Sequence, residues 1–127
     1  HSGVDTSIAA RLGVDGPATK ARFSFPMGIS FDEIRDVLYV ADARSHSIRT
    51  VSLGESWAEG KSETIVQTFA GIPNRFGWRD GHGKRALFCG PGSVLLDDAT
   101  KGVFVTERYG RRIRAIAING EVHTIAG

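Results

Sequence analysis

A repeat constrains this fold more than any other feature of the sequence. Shifted by 65 positions, residues 15–51 lie over 80–116 without a gap. Asp15-Gly16 falls on Asp80-Gly81, Ala21 on Ala86, Phe23 on Phe88 and Pro26 on Pro91. Asp32 then meets Asp97, Val40 meets Val105, and Ile48-Arg49 meets Ile113-Arg114. Nine identities in 37 positions are several times what composition alone produces. The ends repeat at another offset: VQTFAG (66–71) matches VHTIAG (122–127) at a shift of 56. The first copy therefore holds nine more residues, within SLGESWAEGKSETI (52–65), which carries Trp57. DTSIAA (5–10) reads as a third, worn copy of the last element.

Each copy divides into four short strands. GISFD or SVLLD is the first, each just after a proline, and VLYVAD or VFVTE the second. SIRTVS or RIRAIA makes the third, and TIVQTFA or EVHTIA the fourth. β-Branched and aromatic content, with polar turn residues between, predicts antiparallel all-β units. AINGEV (117–122) sets Asn-Gly between apolar pairs, which predicts a type I′ hairpin turn. No stretch holds a 3.6-residue period over three turns, so helices are not expected.

Four-stranded units in series predict β-propeller blades. The residues themselves resemble a known family. ARFSFPMGISFD, VLYVADARSHSIRTV and VQTFAG, all from the first copy, resemble an NHL repeat. DGHGKRALFCGPGSVLLDD, VFVTERYGRRIRAI and GEVHTIAG, all from its twin, resemble a more diverged NHL repeat. Thr106-Glu107 replaces Ala41-Asp42, and Gly92-Ser93 replaces Met27-Gly28. The resemblance implies closed rings of about six blades. On this reading residues 1–14 are the fourth-strand remnant of a preceding blade plus a linker. Residues 15–71 are blade 1 and 72–127 are blade 2. Two blades leave apolar faces bare, since stacked repeats generally need three or more units. Either the chain is a segment of a longer propeller, or three copies close one ring.

Charge separates the copies. Net charge is +2, but residues 1–71 carry seven Lys/Arg against nine Asp/Glu and residues 72–127 carry nine against five. The stretch VFVTERYGRRIRAI (103–116) holds four of those arginines. Strand alternation puts Arg49 on the face of Val51 and Arg114 on that of Ile116. A guanidinium on an apolar face needs an acidic partner, which predicts the structural pairs Asp42–Arg49 and Glu107–Arg114. The positions that differ between copies are the candidates for binding. Arg108, Tyr109, Arg111 and Arg112 replace Ala43, Arg44, His46 and Ser47 on the turn between second and third strands. Arg44 and His46, with the Trp57 loop, complete the expected partner-binding set. Arg79, Lys84 and Arg85 are expected to extend the basic surface.

The expected function is a non-catalytic interaction scaffold that binds a protein partner through its blade ends. RNA binding by the basic second blade is the alternative, with phosphates gripped by arginine and a base stacked on Tyr109. A propeller enzyme with its site in other blades is a further alternative, since some relatives implied by the resemblance are amidating lyases. No metal or cofactor site is expected: His46, His82 and His123 are dispersed, and Cys89 is the only cysteine. GESWA (54–58) lacks the second glycine of a nucleophile elbow, and GHGK (81–84) is too short for a phosphate loop. No apolar run is long enough to cross a bilayer as a helix.

Overall fold

A computed structural model describes residues 13–54, 57–60 and 63–127. The segment DTSIAA, expected to be a worn fourth strand, lies outside them. The first sheet holds β1 (Gly16–Pro17), β2 (Pro26–Asp32), β3 (Val37–Asp42), β4 (Ser47–Ser52) and β5 (Ile65–Ala70). The second holds β6 (Gly81–His82), β7 (Pro91–Leu96), β8 (Val103–Glu107), β9 (Ile113–Ile116) and β10 (Glu121–Ala126). Each is a five-stranded antiparallel sheet, ordered β1-β5-β4-β3-β2 and β6-β10-β9-β8-β7. The four expected strands of each copy are present. The fifth, of two residues, goes beyond the sequence expectation. It pairs Gly16 with Val66 and Gly81 with Val122 at the outer edge, where no alternation of its own announces it.

Register gives each blade two distinct faces. One face of blade 1 carries the row Ile29, Val40, Arg49, Thr68 and the row Phe31, Leu38, Val51, Val66. We call this the leading face. The same rows in blade 2 are Val94, Val105, Arg114, Thr124 and Leu96, Val103, Ile116, Val122. The opposite, trailing face of blade 1 carries Ser30, Tyr39, Thr50 and Gln67.

The core is the joint between blades. Tyr39, Ala41, Ile48 and Ala70 of blade 1 pack with Ala86, Phe88, Val94, Val103, Val105, Ile116 and Val122 of blade 2. The trailing face of one blade thus meets the leading face of the next. The innermost strands approach closely: a Cβ on Gly28 would stand 2.8 Å from the Ser93 Cα, so glycine lets β2 lie against β7. The Leu96 amide donates to Ser30 Oγ at 3.0 Å across the same seam.

The hairpin at residues 117–121 has a different turn from the one expected. Gly120 has φ +94°, but Asn119 is not in the left-handed region that type I′ requires. The Gly120 amide donates to the Ala117 carbonyl, and the Ala117 amide to the Glu121 carbonyl, both at 2.8 Å. This is a three-residue connection with glycine at the bulge. In blade 1 the same connection is the longer loop, with a 3₁₀ turn at Trp57–Glu59.

Candidate interaction site

The expected arginine–carboxylate pairs form, and each is one part of a larger cage. Arg49 Nη1 lies 3.2 Å from Asp42 Oδ2 and donates to the Arg22 carbonyl at 3.0 Å. Its Nη2 lies 2.8 Å from Asp15 Oδ1, and its guanidinium sits 5.0 Å from the Phe23 ring centre. Arg114 repeats every contact. It reaches Glu107 at 3.1 Å, Asp80 at 2.9 Å, the Leu87 carbonyl at 2.9 Å and the Phe88 ring at 4.6 Å. Both arginines are fully buried, and the two carboxylates and the carbonyl replace the water lost by the Nη groups of each, while each Nε has no partner.

Strand alternation does not reveal Asp15 and Asp80 as partners. Each ties three elements together, because Asp15 also accepts the amide and hydroxyl of Thr68, and Asp80 those of Thr124. They stand 34 residues before their arginines, and only their identity in the repeat marks them. Burial raises the Asp80 pKa, but the Thr124 hydroxyl and amide and the Arg114 guanidinium outweigh it and hold the carboxyl below the usual range. Asp42, in turn, accepts the amides of Ser24 and Phe25 and the Ser45 hydroxyl. These bonds fix where β2 begins. Glu107 does the same for β7 through the Cys89 amide at 2.6 Å.

The cages support the turn between second and third strands in each blade. In blade 1 this turn presents Arg44, whose guanidinium stacks 5.2 Å from the exposed Phe25 ring. In blade 2 it presents Arg108 and Tyr109, with Tyr109 67% exposed and Arg108 5.8 Å from its ring. Arg108 Nη1 also reaches Met27 Sδ of blade 1 at 3.4 Å, so the surface runs across the joint. Arg112 is half-buried, donates to the Gly110 carbonyl at 3.0 Å and stacks 4.8 Å from the Trp78 ring. Trp78 and Phe25 are aromatic members of this surface that strand patterning does not single out; both lie in loops.

Other candidates are placed elsewhere. His46 is half-buried, and its Nδ1 accepts the Gly90 amide of blade 2 at 3.0 Å while its ring tilts against Phe76. Burial lowers its pKa below the usual histidine value, with the Asp42 charge opposing. Its imidazole joins the two blades. Arg111 stands at the equivalent position with the same left-handed backbone, φ 55° against 54°, but is exposed. Trp57 is exposed on the β4–β5 connection, at the end of the sheet opposite the β3–β4 turn. It is not brought together with the arginines. Lys84 and Arg85 lie on the 3₁₀ turn Gly83–Arg85 beside β5, and Arg79 donates to the Arg85 carbonyl. Among the described residues, no three His, Cys, Asp or Glu side chains gather at metal-binding distance.

No family model matches the chain. It is 26% identical over 103 residues to NHL repeat-containing protein 2 of Bos taurus, a stretch covering 81% of this chain and 13% of that protein. Identity to the Homo sapiens protein of the same name is 22% over 112 residues, or 88% and 14% of the two chains. The chain is similar to NHL-repeat proteins. It spans only about an eighth to a seventh of the length of these relatives, and its two sheets have the form of β-propeller blades. Two solved structures from Bacteroides thetaiotaomicron share the fold. A structural genomics protein of unknown function superposes with a TM-score of 0.70 and 25% identity, covering 89% of this chain and 25% of that one. An auxiliary nutrient binding protein gives 0.66 and 22%, covering 85% and 26%.

Proposed function

We propose that these NHL-type blades act as a non-catalytic interaction module, binding an acidic protein surface through the blade-end turns. The observation that carries this reading is the arginine–aromatic surface formed by Arg44 on Phe25, Arg108 on Tyr109 and Arg112 on Trp78. Arginine held against a ring loses less freedom on binding, and such pairs are the residue types that dominate interface energies. Nearby rigid backbone limits the cost further: the turn rests on a buried Glu107–Arg114 pair.

A protein partner is favoured over RNA because the chain's net charge is only +2 and Arg112 already donates to the Gly110 carbonyl. That leaves a sparse track of cations for a phosphate backbone. The test is affinity capture from extract, after ribonuclease, with the wild-type chain and with the Arg108→Ala/Tyr109→Ala variant. A protein retained by the wild type and lost by the variant supports the site. Equal capture by both would remove these turns from the interface. Loss of all capture on ribonuclease treatment, with steep salt dependence for single-stranded RNA, would favour RNA instead.

A further inference from the structure

We infer that Gly90 and Gly92 are positioning residues of the blade-end surface. They turn Arg108 across the joint, so that two blades share one site for an acidic peptide segment with apolar side chains beside its carboxylates. This rests on the reading of the turns as the interface and names what that interface selects. The two blades fill the same volume from reciprocal positions. In blade 1 the entering strand supplies the bulk, Phe25 and Met27, and the turn supplies Ala43 and Arg44. In blade 2 the repeat puts Gly90 and Gly92 at those strand positions, and Arg108 and Tyr109 on the turn. A Cβ on Gly92 would stand 2.8 Å from Arg108 Cγ and 3.2 Å from its Cδ, and one on Gly90 would strike the Tyr109 ring. Neither side chain could lie as it does over a larger residue.

The effect is felt across the joint. Arg108 Nη1 reaches Met27 Sδ at 3.4 Å, and its guanidinium stands 5.8 Å from the Tyr109 ring centre. A thioether is a weak acceptor, so the guanidinium keeps its strong donors for an incoming carboxylate, which it can hold bidentately. Met27, Phe25 and Tyr109 are exposed around it, and a thioether and rings accept apolar side chains of varied shape. Arg44, stacked on Phe25, gives a second cation on the blade 1 side. A purely acidic segment would use the arginines alone. One in which carboxylates alternate with apolar side chains uses the cations together with the methionine and the rings. Charge steers such a segment to this end of the blades. The turns at 43–46 and 108–112 hold four arginines and no carboxylate. The turns at the opposite end, 33–36 and 97–102, hold Glu33, Asp36, Asp97 and Asp98 against Arg35 and Lys101.

Fluorescence anisotropy tests this on the whole chain with two short labelled peptides, one alternating glutamate and leucine, the other glutamate and serine. Wild type is expected to prefer the leucine peptide by about tenfold. Gly92→Ala keeps Arg108 but moves it off Met27, and the preference is expected to fall to about twofold or less. Met27→Ser is expected to do the same from the other blade, and serves if the Gly92→Ala chain does not fold. Loss of structure would weaken both peptides together, whereas loss of the preference alone reports where Arg108 lies. A folded variant of either kind that keeps the full preference overturns the inference, even where Arg108→Ala/Tyr109→Ala abolishes binding and the turns stand as the interface. Peptide binding untouched by Arg108→Ala/Tyr109→Ala removes the turns themselves, and the inference with them. A wild type that binds both peptides equally, or neither, overturns it too. So does tighter binding of a single-stranded oligouridylate than of the leucine peptide.

Discussion

Ser45 and Gly110 stand at the same point in the two blades, and each is the residue its neighbouring carboxylate requires. Ser45 Oγ donates to Asp42 at 2.6 Å. At Gly110 there is no side chain, and the longer Glu107 fills the space. A Cβ there would come within 3.0 Å of Glu107 Oε2. The blades solve one problem twice, with a short carboxylate plus a hydroxyl or with a long carboxylate alone.

That relationship predicts coupling. Glu107→Asp should destabilise by about 1–3 kcal/mol, because the shortened carboxylate leaves buried donors unsatisfied. Gly110→Ser alone should also destabilise, by crowding Glu107. Together the two changes rebuild the arrangement of blade 1. The double variant should then be more stable than the sum of its parts by about 0.5–3 kcal/mol in urea unfolding. Strict additivity would show that the serine and the glutamate do not share the space.

Removing the cation is expected to cost more than altering one carboxylate. Arg49→Met leaves Asp42, fully buried, and Asp15 without the charge between them. The loss should be about 3–5 kcal/mol, measured by urea unfolding. Arg114→Met should behave alike in blade 2. A loss below about 1 kcal/mol, the range of a surface pair, would contradict a structural role for the cages.

The blade joint should weaken in acid. The folded His46 pKa lies below the ordinary 6.5, chiefly through burial. As pH falls past that ordinary value the unfolded chain takes up the proton first. Stability therefore falls from about pH 6.5 until the folded pKa is passed. Protonation would also turn Nδ1 from acceptor to donor against the Gly90 amide. His46→Asn keeps a residue that tolerates the left-handed backbone but does not titrate. Wild type should lose more stability than this variant between about pH 7.5 and pH 5.5; parallel losses would place the pH dependence elsewhere.

Gly71 closes the repeated TFAG and TIAG segments for a physical reason. Its φ is +89°, and a Cβ would lie 2.8 Å from the His46 carbonyl oxygen. Gly71→Ala should therefore cost about 1–3 kcal/mol, read as a lower Tm by calorimetry. An unchanged Tm would mean that β5 does not meet the turn as described.

What is legible in the sequence is local or periodic. Arg49 and Arg114 pair with Asp42 and Glu107 as expected, because adjacent strands and two-residue alternation fix that geometry. Asp15 and Asp80 escape such reasoning because they reach their arginines from loops 34 residues away, where no period operates. The inter-blade bond of His46 depends on Gly90, 44 residues on, and only packing reveals it. The Asn-Gly hairpin stands where the sequence puts it, but its turn type follows from backbone bonds that the dipeptide alone does not determine. The aromatic members Phe25 and Trp78 are invisible as site residues, since nothing in a loop's sequence tells which arginine will lie over it.

The most direct test of this account is a crystal structure of a chain containing these two blades. It should show the Phe88 ring fully buried at the joint beside Gly71, with Gly28 of β2 lying against Ser93 of β7. Arg49 and Arg114 should each lie buried between two carboxylates. Blades that meet through any other surface, or either arginine turned out to solvent, would contradict the claim that one joint and two repeated cages build these blades.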